Sequence, residues 1–370
     1  MNQTELFVDG LITVLKIVKK DTPVLVEASK GKLFIASYND FHSIVFECET
    51  AWEDFKVILS AEVAKQLPRN IKDTLTLEFP SKNVLVVKSK GVELKLTTLD
   101  ADSLSLRKLM SKFSKDEDWI IGSGELKLAF NTIGHSANDK DIGDVVLKGY
   151  HLTRKNGSLE FMASNGAVMS VASWPLDLSS SDKEGTLLLN EDFASIISLL
   201  YFEKDAVVPV RLAFKDDTIS IEAADATKER TLRVVSALTN GTPFNYVPII
   251  ESVAKENPFT YTLFRKDLLE ALKTNAFFTS NELHNRVTLK LGKQAIEIES
   301  QNMYGQASTK VPLVESNDYE PVELLISGTY LINYLSTALD EEVTLSVKDD
   351  KSPVMFTDSY ETEIITLFTK

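Results

Sequence analysis

A short hairpin motif occurs three times along the chain at nearly constant spacing. In its clearest copy, residues 157–173, two apolar runs flank Asn165-Gly166, a pair that favours the two positive φ angles of a primed β-turn. Weaker copies carry Asn39 and Asn302 at the corresponding positions, so the three asparagines are 126 and 137 residues apart. In a chain of 370 residues this spacing predicts three tandem repeats, each the size of one small domain.

Helix and strand patterns recur in the same order around the three hairpins. Each repeat is predicted to contain an early helix, the hairpin, a later helix and closing strands. The early helices are predicted at residues 5–20, 124–137 and 264–279. The later helices are predicted at residues 59–68, 189–201 and 326–339, with Ser60, Asn190 and Ser327 as N-caps and with Pro68 ending the first of them.

The remaining apolar runs favour strands, and together the patterns define a fold class. Residues 125–130 fit a strand as well as a helix, Gly10 weakens the first helix, and the polar stretch 105–118 is predicted to be a linker. Two helices and many antiparallel strands in each repeat indicate an α+β fold, with the helices packed on one face of the sheets. The predicted domains are residues 1–118, 119–246 and 247–370.

Composition restricts the class of protein. The 44% hydrophobic and 25% charged residues are typical of a globular chain, and no apolar run is long enough to span a membrane. The N-terminal residues lack the pattern of a signal peptide. Cys48 is the only cysteine, which excludes an internal disulfide and favours a cytoplasmic location. The scattered histidines offer little material for a zinc site, and we expect neither a metal nor a cofactor: His42, His135, His151 and His284.

The net charge of −14 is distributed unevenly along the chain. It amounts to −1, −5 and −8 in the three predicted domains, in chain order. A protein this acidic is not expected to bind nucleic acid tightly through a broadly basic surface. The charge remains compatible with a protein that surrounds nucleic acid loosely and uses a few local basic side chains.

The chain lacks the sequence motifs that would indicate an enzyme. It contains no phosphate-binding Gly-x-x-x-x-Gly-Lys loop, no His-Glu-x-x-His and no Gly-x-Ser-x-Gly. Asp139, Asp141 and Asp144 are close together, but Lys140 and Ile142 interrupt the pattern of an EF-hand loop, which favours a solvated loop. A hydrolase on an α+β scaffold is therefore a minor alternative.

The three repeats, the central hairpin and the chain length resemble the bacterial-type DNA polymerase sliding clamp, the β subunit of the replicative polymerase. The resemblance extends over essentially the whole chain and is strongest at residues 149–171 and 243–246 and around residues 280–282 and Tyr330. It implies a non-enzymatic, head-to-tail homodimeric ring that encircles duplex DNA and makes a tethered polymerase processive. The implied partners are double-stranded DNA, a DNA polymerase, a clamp loader and a second copy of the chain, with no membrane. The divergent sequence suggests a phage-encoded or mobile-element clamp.

The resemblance assigns three sets of residues. Basic side chains on the inner helices would face DNA: Lys16, Lys19, Lys20, Lys65, Arg69, Lys72, Arg265, Lys266 and Lys273. A hydrophobic groove between the second and third domains would bind partner peptides: Leu147, Ser164, Gly166, Met169, Pro248, Ile249, Tyr330, Pro353, Ile364, Leu367 and Phe368. Edge strands of the first and third domains would form the dimer interface: Leu94, Leu96, Phe277 and Phe278. Lysines at helix ends can also serve simply to solvate the helices, and buried apolar residues can simply be core.

The chain departs from the family pattern at three places. Ala167-Val168 stands where the family has His-Arg, and residues 366–370 replace the family's usual carboxyl end. The loop 141–146, which contacts DNA in the family, has neither aromatic nor basic residues. These departures predict that the groove either accepts a different partner peptide or binds the usual one weakly, and that DNA contact is weaker and centred on the first domain. They leave a second hypothesis open, a clamp-fold adaptor that binds replication proteins without sliding on DNA.

Overall fold

The computed structural model describes residues 2–19, 21–100, 102–114, 118–137, 149–176, 182–200, 208–215, 217–225, 229–279, 285–317 and 321–368. The chain divides into two compact units. The first unit comprises residues 1–127, 176–183 and 192–238, and the second comprises residues 128–175, 184–191 and 239–370. Both are α+β with antiparallel sheets, which confirms the predicted fold class. The large sheets cross the predicted domain boundaries, so the limits of the three domains stay a prediction.

The first unit contains an eight-stranded and a three-stranded antiparallel sheet. Its helices and strands are α1 (Gln3–Leu15), β1 (Val24–Ser29), β2 (Lys32–Tyr38), β3 (His42–Glu49), β4 (Phe55–Leu59), α2 (Ala61–Asn70), β5 (Leu75–Ser81), β6 (Val84–Ser89), β7 (Val92–Thr97), α3 (Leu106–Met110), β8 (Asp118–Gly122), the start of α4 (Ser123–Ala137), α5 (Phe193–Ile197), β13 (Pro209–Lys215), β14 (Thr218–Ala224) and β15 (Arg230–Ala237). The strand orders are β4-β1-β2-β3-β15-β14-β13-β8 and β5-β6-β7.

The second unit contains a nine-stranded and a four-stranded antiparallel sheet. Besides the end of α4, its elements are β9 (Tyr150–Lys155), β10 (Ser158–Ser164), β11 (Val168–Pro175), β12 (Gly185–Leu189), α6 (Val247–Glu256), β16 (Phe259–Phe264), α7 (Arg265–Ala276), β17 (Arg286–Leu291), β18 (Ala295–Asn302), β19 (Gly305–Pro312), β20 (Glu315–Ser316), β21 (Val322–Ser327), α8 (Gly328–Thr337), β22 (Glu342–Val347), β23 (Val354–Thr357) and β24 (Glu361–Ile365). The strand orders are β12-β9-β10-β11-β24-β23-β22-β16-β20 and β19-β18-β17-β21.

Each large sheet contains one strand pair that joins two of the predicted domains. In the first unit β3 pairs with β15, with Ser43 opposite Val235. In the second unit β11 pairs with β24, with Met169 opposite Ile364. We call these two pairs the sheet junctions. Because both pairs complete the backbone hydrogen bonding of their strands, they remove four strand edges, two at each junction, that would otherwise be open to other chains.

The hairpin asparagines hold equivalent turns next to the two sheet junctions. The Asn39 backbone N–H donates to the carbonyl of His42 at 2.8 Å, and the Asn165 N–H donates to the carbonyl of Val168 at 3.1 Å. The Asn39 side-chain oxygen accepts the backbone N–H groups of Phe41 and His42 at 2.9 and 2.7 Å. The Asn165 side-chain oxygen accepts the corresponding N–H groups of Ala167 and Val168, at 3.0 and 2.9 Å. The predicted equivalence of the first two hairpins is thus confirmed at the level of single hydrogen bonds.

The detailed turn prediction at Asn165-Gly166 was wrong. Gly166 has a φ of 83°, while Asn165 is outside the positive region, because its side chain closes a wider loop on the backbone N–H groups. The pair with two positive φ angles lies one strand earlier, at Asn156-Gly157, with 52° and 75°. That turn joins β9 to β10.

Several predicted helix limits also require correction. The first helix ends at Leu15 instead of residue 20, with Lys16 as its C-cap. Ser60 caps α2 as predicted, but the helix continues through Pro68 to Asn70, because a proline in the last turn removes only one backbone hydrogen bond. The later helix of the second domain is confined to α5, whose N-cap is Asp192 rather than Asn190.

Two short connections carry helices that the sequence patterns missed or obscured. The predicted linker 105–118 contains α3, whose Leu109 is buried against the eight-stranded sheet. Residues 247–256 form α6, which was not predicted.

The strand alternative at 125–130 is excluded, because these residues belong to α4. Within the described residues, no helix is both long and apolar enough to cross a lipid bilayer.

Gly10 lies inside α1 because the helix packs directly on the sheet at this point. A Cβ atom at position 10 would be 2.6 Å from Cδ1 of Phe46 and 2.8 Å from Cδ1 of Ile35. Both partners are fully buried core side chains. The glycine that lowers helix propensity therefore allows the close approach of helix and sheet.

Replacement of Gly10 by alanine is expected to destabilise the protein. Overpacking against Phe46 and Ile35 costs about 1–3 kcal/mol and exceeds the gain of about 1 kcal/mol in helix propensity. Gly134→Ala in α4 is the matched control, because a Cβ there has no neighbour within 4 Å. Urea unfolding followed by circular dichroism should give a lower midpoint for G10A and an unchanged or higher one for G134A. An unchanged midpoint for G10A would contradict this packing.

Candidate partner groove, DNA-facing helices and edge strands

An amphipathic helix covers an apolar patch at the sheet junction of the second unit. Val247, Ile250 and Val253 recur at helical spacing along α6 and pack on the sheet. The patch below them consists of Met162, Met169, Val171, Tyr246, Met355 and Ile364. Pro248 and Ile249 lie on the outer side of α6, and 38% of the Ile249 side chain is exposed. A narrow apolar ridge thus borders the junction.

Tyr246 anchors the start of α6 to the sheet. Its hydroxyl donates to a carboxylate oxygen of Glu160 at 2.8 Å. Burial and the neighbouring negative charge of Glu160 raise the pKa of Tyr246 above its ordinary value, so the hydroxyl remains a donor at neutral pH. Pro248 stands in the first turn of the helix, where its missing N–H has no cost.

The carboxyl-terminal segment lies along the Asn165 turn. The backbone N–H and the hydroxyl of Thr366 both donate to the carbonyl of Ala167 at 2.9 Å. The side-chain amide of Asn165 donates to the hydroxyl of Tyr330 at 3.2 Å. Leu367 and Tyr330 pack, partly exposed, on the core of the four-stranded sheet and its helices. The backbone N–H of Phe368 donates to the carbonyl of Leu325 at 2.9 Å.

The structure places the residues assigned to the groove in two neighbouring groups. Met169, Pro248, Ile249 and Ile364 belong to the α6 group, and Pro353 is fixed nearby by a hydrogen bond from Asn257. Ser164, Gly166, Tyr330, Leu367 and Phe368 surround the Asn165 turn. Strands β11 and β24 carry Met169 and Ile364 of the α6 group, while the Asn165 turn precedes β11 and Leu367 and Phe368 follow β24. Leu147 lies outside the described residues, and the groove assignment as a whole stays a prediction.

Sequence reasoning missed the apolar residues that join α6 to the sheet. Tyr246, Val247, Ile250 and Val253 were not included in the predicted groove, although they are central to the α6 group. The signal was present as helical spacing of apolar residues from 247 to 253. Because prolines flank this stretch, it was interpreted as a connection between domains.

The opposite face of the same strand pair holds buried polar groups. Side chains alternate along a strand, so Met169 and Ile364 face α6 while Ser170 and Glu363 point the other way. Glu363 accepts the Ser170 hydroxyl at 2.8 Å, and His135 of α4 lies 2.7 Å from the same carboxylate oxygen. Burial lowers the pKa of His135, but the charge of Glu363 and its hydrogen bond outweigh this effect and raise it.

Glu361 is the least compensated group in this polar cluster. Its side chain is 3% exposed, and within the described residues neither carboxylate oxygen has a hydrogen-bond partner. Burial, followed by the charges of Glu363 and Asp358, raises the pKa of Glu361 well above its ordinary value. The folded state therefore favours the protonated carboxyl. Stability is lost as the pH rises from the unfolded-state pKa, near 4.5, through the folded-state value.

Replacement of Glu361 by glutamine is expected to stabilise the protein at pH 8. Glutamine resembles the protonated carboxyl and avoids a buried charge, which costs roughly 1–3 kcal/mol when it lacks partners. Thermal unfolding should show a higher midpoint for E361Q at pH 8, and the difference should shrink towards pH 5. Glu342→Gln, at the exposed start of β22, serves as the control and should leave the midpoint unchanged at both values. A lower midpoint for E361Q at pH 8 would contradict the proposed charge state.

The first unit exposes most of the basic residues assigned to DNA. Helices α1 and α2 pack against each other. Four of the assigned side chains are exposed on or directly after these helices: Lys16, Lys65, Arg69 and Lys72. The Lys19 ammonium group lies 5.5 Å from the ring centroid of Phe41. Lys20 lies outside the described residues.

The second unit offers less positive charge on its helix pair. Helix α7 packs against α8, and α8 contains no charged residue. Lys266 and Lys273 are exposed on α7, where Asp267 and Glu270 offset them. Arg265 is half-buried and donates to the carbonyls of Asp340 and Leu335 at 2.9 and 2.7 Å, which fixes the end of α8. Sequence patterns did not reveal this structural use of Arg265.

Of the residues assigned to the dimer interface, Leu94 and Leu96 lie on an edge strand, whereas Phe277 and Phe278 directly follow helix α7 and not an edge strand as expected. Strand β7 ends the three-stranded sheet, with Leu94 and Leu96 half-buried on one face. Strand β19 ends the four-stranded sheet, and α7 packs beside it. Phe277, which follows α7, is 76% exposed and meets Phe278 edge to face at 5.0 Å. Solvent-exposed edges next to apolar side chains are typical of surfaces that pair with another chain.

The catalytic and metal-binding alternatives gain no support from the described geometry. Within the described ranges, no group of three His, Cys, Asp or Glu side chains is arranged to hold a metal ion. Asp139, Asp141 and Asp144, the loop 141–146 and His284 lie outside these ranges. His135, Ser170 and Glu363 do not form a catalytic relay, because the serine and the carboxylate approach the same imidazole nitrogen.

Comparison with solved structures relates the whole fold to DNA polymerase sliding clamps. The DNA polymerase sliding clamp of Bacillus subtilis matches with a TM-score of 0.86 and 14% identity, over 100% of this chain and 98% of that one. The DNA polymerase III beta subunit of Pseudomonas aeruginosa matches with 0.84 and 17%, over 100% and 99%. A protein described as a DNA polymerase III beta subunit of Eubacterium rectale matches with 0.85 and 15%, over 99% and 97%.

The sequence comparisons found no relatives. No known protein-family profile matches the chain, and no curated protein has a similar sequence. The chain therefore has the fold of the β sliding clamps with a strongly divergent sequence.

Proposed function

We propose that this protein is a DNA sliding clamp, a ring that encircles duplex DNA and tethers a replicative DNA polymerase. The observation that supports this role most strongly is the match of the fold over essentially the full length of both chains. The clamp role makes the protein a non-enzymatic accessory subunit that acts in the cytoplasm. Identities of 14–17% to cellular clamps support a divergent origin, such as a phage or a mobile element.

Ring closure would use the two edge strands. Strand β7 belongs to the first predicted domain and β19 to the third, so a head-to-tail dimer could pair one with the other twice. The pairing would satisfy both backbone edges and would cover Leu94, Leu96 and Phe277. This arrangement would account for the 76% exposure of Phe277 in the single chain.

DNA would be held by the closed ring rather than by tight contacts. A net charge of −14 opposes direct binding, while a closed ring retains DNA without strong attraction. The exposed Lys16, Lys65 and Arg69 would supply weak, sequence-independent phosphate contacts, which allow sliding. We infer that contact is stronger in the first unit, because α7 balances its lysines with acidic residues and Arg265 is engaged elsewhere.

Partner peptides would bind along α6 and the Asn165 turn. Ile249, Leu367 and Phe368 offer partly exposed apolar side chains on either side of the sheet junction. A clamp loader and the polymerase would use this groove in turn, which raises the local concentration of polymerase at the primer end. Ala167-Val168 makes the turn less polar than the family's His-Arg, so the preferred peptide should be more apolar.

Retention on DNA tests the proposal. The protein is incubated with linear DNA, whose free ends a closed ring can pass over, and half of the DNA is then circularised by ligation. Gel filtration separates bound from free protein in both samples. A closed ring should co-elute with the circle and be lost from the linear form, because it slides off the ends. Co-elution with neither form would favour the adaptor without sliding. Equal retention on both forms would contradict the ring.

Charge reversal should locate the DNA-facing surface. K16E combined with K65E removes positive charge from the first unit and should shorten the residence time on the circle several-fold, with a weaker salt dependence. K266E combined with K273E is the matched change in the second unit and should have a smaller effect. An equal or larger effect of the second pair would contradict the inferred bias towards the first unit.

A further inference from the structure

The first unit contains a second copy of the turn corner that forms the candidate groove. The backbone N–H of Ala237 donates to the carbonyl of Phe41 at 2.8 Å, as Thr366 N–H does to Ala167 at 2.9 Å. In both places the donor lies at the end of the last junction strand, since Ala237 is the final residue of β15 and Thr366 directly follows β24, and the acceptor is the third residue of an asparagine turn. The β3–β15 junction is therefore built like the β11–β24 junction.

Short helices from the connecting segments cover both junctions in the same way. Helix α3 packs on a patch that includes Ala36 and Val45, and α6 packs on a patch that includes Met162 and Val171. Ala36 and Met162 are 126 residues apart, and so are Val45 and Val171. This is the same interval as that between Asn39 and Asn165. The equivalence thus extends from the turn to the apolar surface beside it.

A cavity opens beside the Asn39 turn in the first unit. It has a volume of about 620 Å³, and its apolar lining includes Phe41, Phe113 and Val235. Phe41 stands where the second unit has Ala167, and its side chain is 51% exposed. A second cavity of about 370 Å³ adjoins it and shares Phe113. The corner of the first unit thus contains two adjoining cavities with aromatic side chains in their lining.

The rim of the larger cavity is positively charged. Lys112 and Lys215 line it, Lys19 lies over the ring of Phe41, and Asp40 contributes the opposing charge. Within the described residues, none of the three ammonium groups takes part in an ion pair with a carboxylate. The Lys112 ammonium group has one long contact, 3.5 Å to the hydroxyl of Ser43. This local excess of free positive charge contrasts with the net charge of −14.

We propose that this corner is a second peptide-docking site, which binds an acidic segment carrying an aromatic or large aliphatic side chain. The apolar side chain would enter the recess between Phe41 and Phe113, where both rings are incompletely covered. Carboxylates on either side of it would pair with Lys112 and Lys215. The proposal goes beyond the clamp role and does not depend on DNA binding or ring closure.

The bound peptide would gain from burial and from charge complementarity. Filling the recess would remove apolar surface of Phe41 from water, which favours binding. The ion pairs between the peptide and the rim lysines would be solvent-exposed, so salt would screen them. Affinity should therefore fall as ionic strength rises, while a purely apolar site would not respond in this way. At the corresponding positions of the second unit, Gly166 and Ala167 stand in place of Asp40 and Phe41.

Fluorescence anisotropy with the full-length protein tests the site. The probe is an end-blocked, fluorescein-labelled peptide, Glu-Glu-Leu-Phe-Glu-Glu, and the reversed-charge peptide Lys-Lys-Leu-Phe-Lys-Lys is its control. We expect saturable binding of the acidic probe at low salt and none of the basic one. F41A, and separately K112E with K215E, should each weaken binding about tenfold or more. K293E with K351E, exposed lysines of the second unit, should change it less than about twofold.

A further variant separates the two corners. L367A alters the candidate groove of the second unit and should leave binding of the acidic probe unchanged. Loss of binding in L367A with retention in F41A would place the peptide in the other groove and overturn the proposal. Absence of saturable binding by the unmodified protein at about 1 mM would overturn it as well. If a 20-base-pair duplex displaces the probe while K112E with K215E abolishes duplex binding, the lysines form a DNA surface instead. Thermal unfolding of each variant confirms that it is folded.

Discussion

The antiparallel pairing of β3 with β15 and of β11 with β24 is the interaction on which the remaining architecture depends. Each pair merges strands of two predicted domains into one continuous sheet. Because side chains alternate along these strands, one face of each junction packs inward while the other carries an apolar patch that a short helix covers. The turns held by Asn39 and Asn165 lie at the ends of the same strands. The candidate docking corners are therefore consequences of how the domains are joined.

The junction of the second unit also buries acidic side chains, which lowers its stability as the pH rises. Glu361 and Glu363 lie on β24, two residues apart and on one face, and Nε2 of His135 lies 2.7 Å from the Glu363 carboxylate. A protonated His135 stabilises the folded state below its raised pKa, and a protonated Glu361 avoids an unpaired buried charge. Both effects strengthen this unit at mildly acidic pH and weaken it as the pH rises. The strands that carry the candidate groove residues Met169 and Ile364 thus also carry a buried cluster that responds to protonation.

Much of the fold could be predicted because the three repeats confirm each other. Strand positions followed from alternation, and the asparagine turns followed from their spacing. The limits of α2 and α5 could not be predicted, since whether Pro68 ends a helix or Asn190 caps one depends on the packing of the neighbouring chain. Helix α6 was hidden by its flanking prolines. Gly10 looked like a helix breaker, although contacts distant in sequence require it. The hydrogen bonds of Arg265 to the end of α8 and the exposure of Phe41 could not be predicted either, because both depend on residues far away in the chain.

The central claim is that two copies close into a ring through β7 and β19. Light scattering at micromolar concentration, with negative-stain images of the same peak, measures this most directly. The account predicts a mass of two chains, twice 41.2 kDa, and ring-shaped particles. It also predicts that Leu94→Glu with Leu96→Glu reduces the mass to that of one chain. A monomer at every concentration, or a dimer unaffected by this double substitution, would contradict closure through these edges.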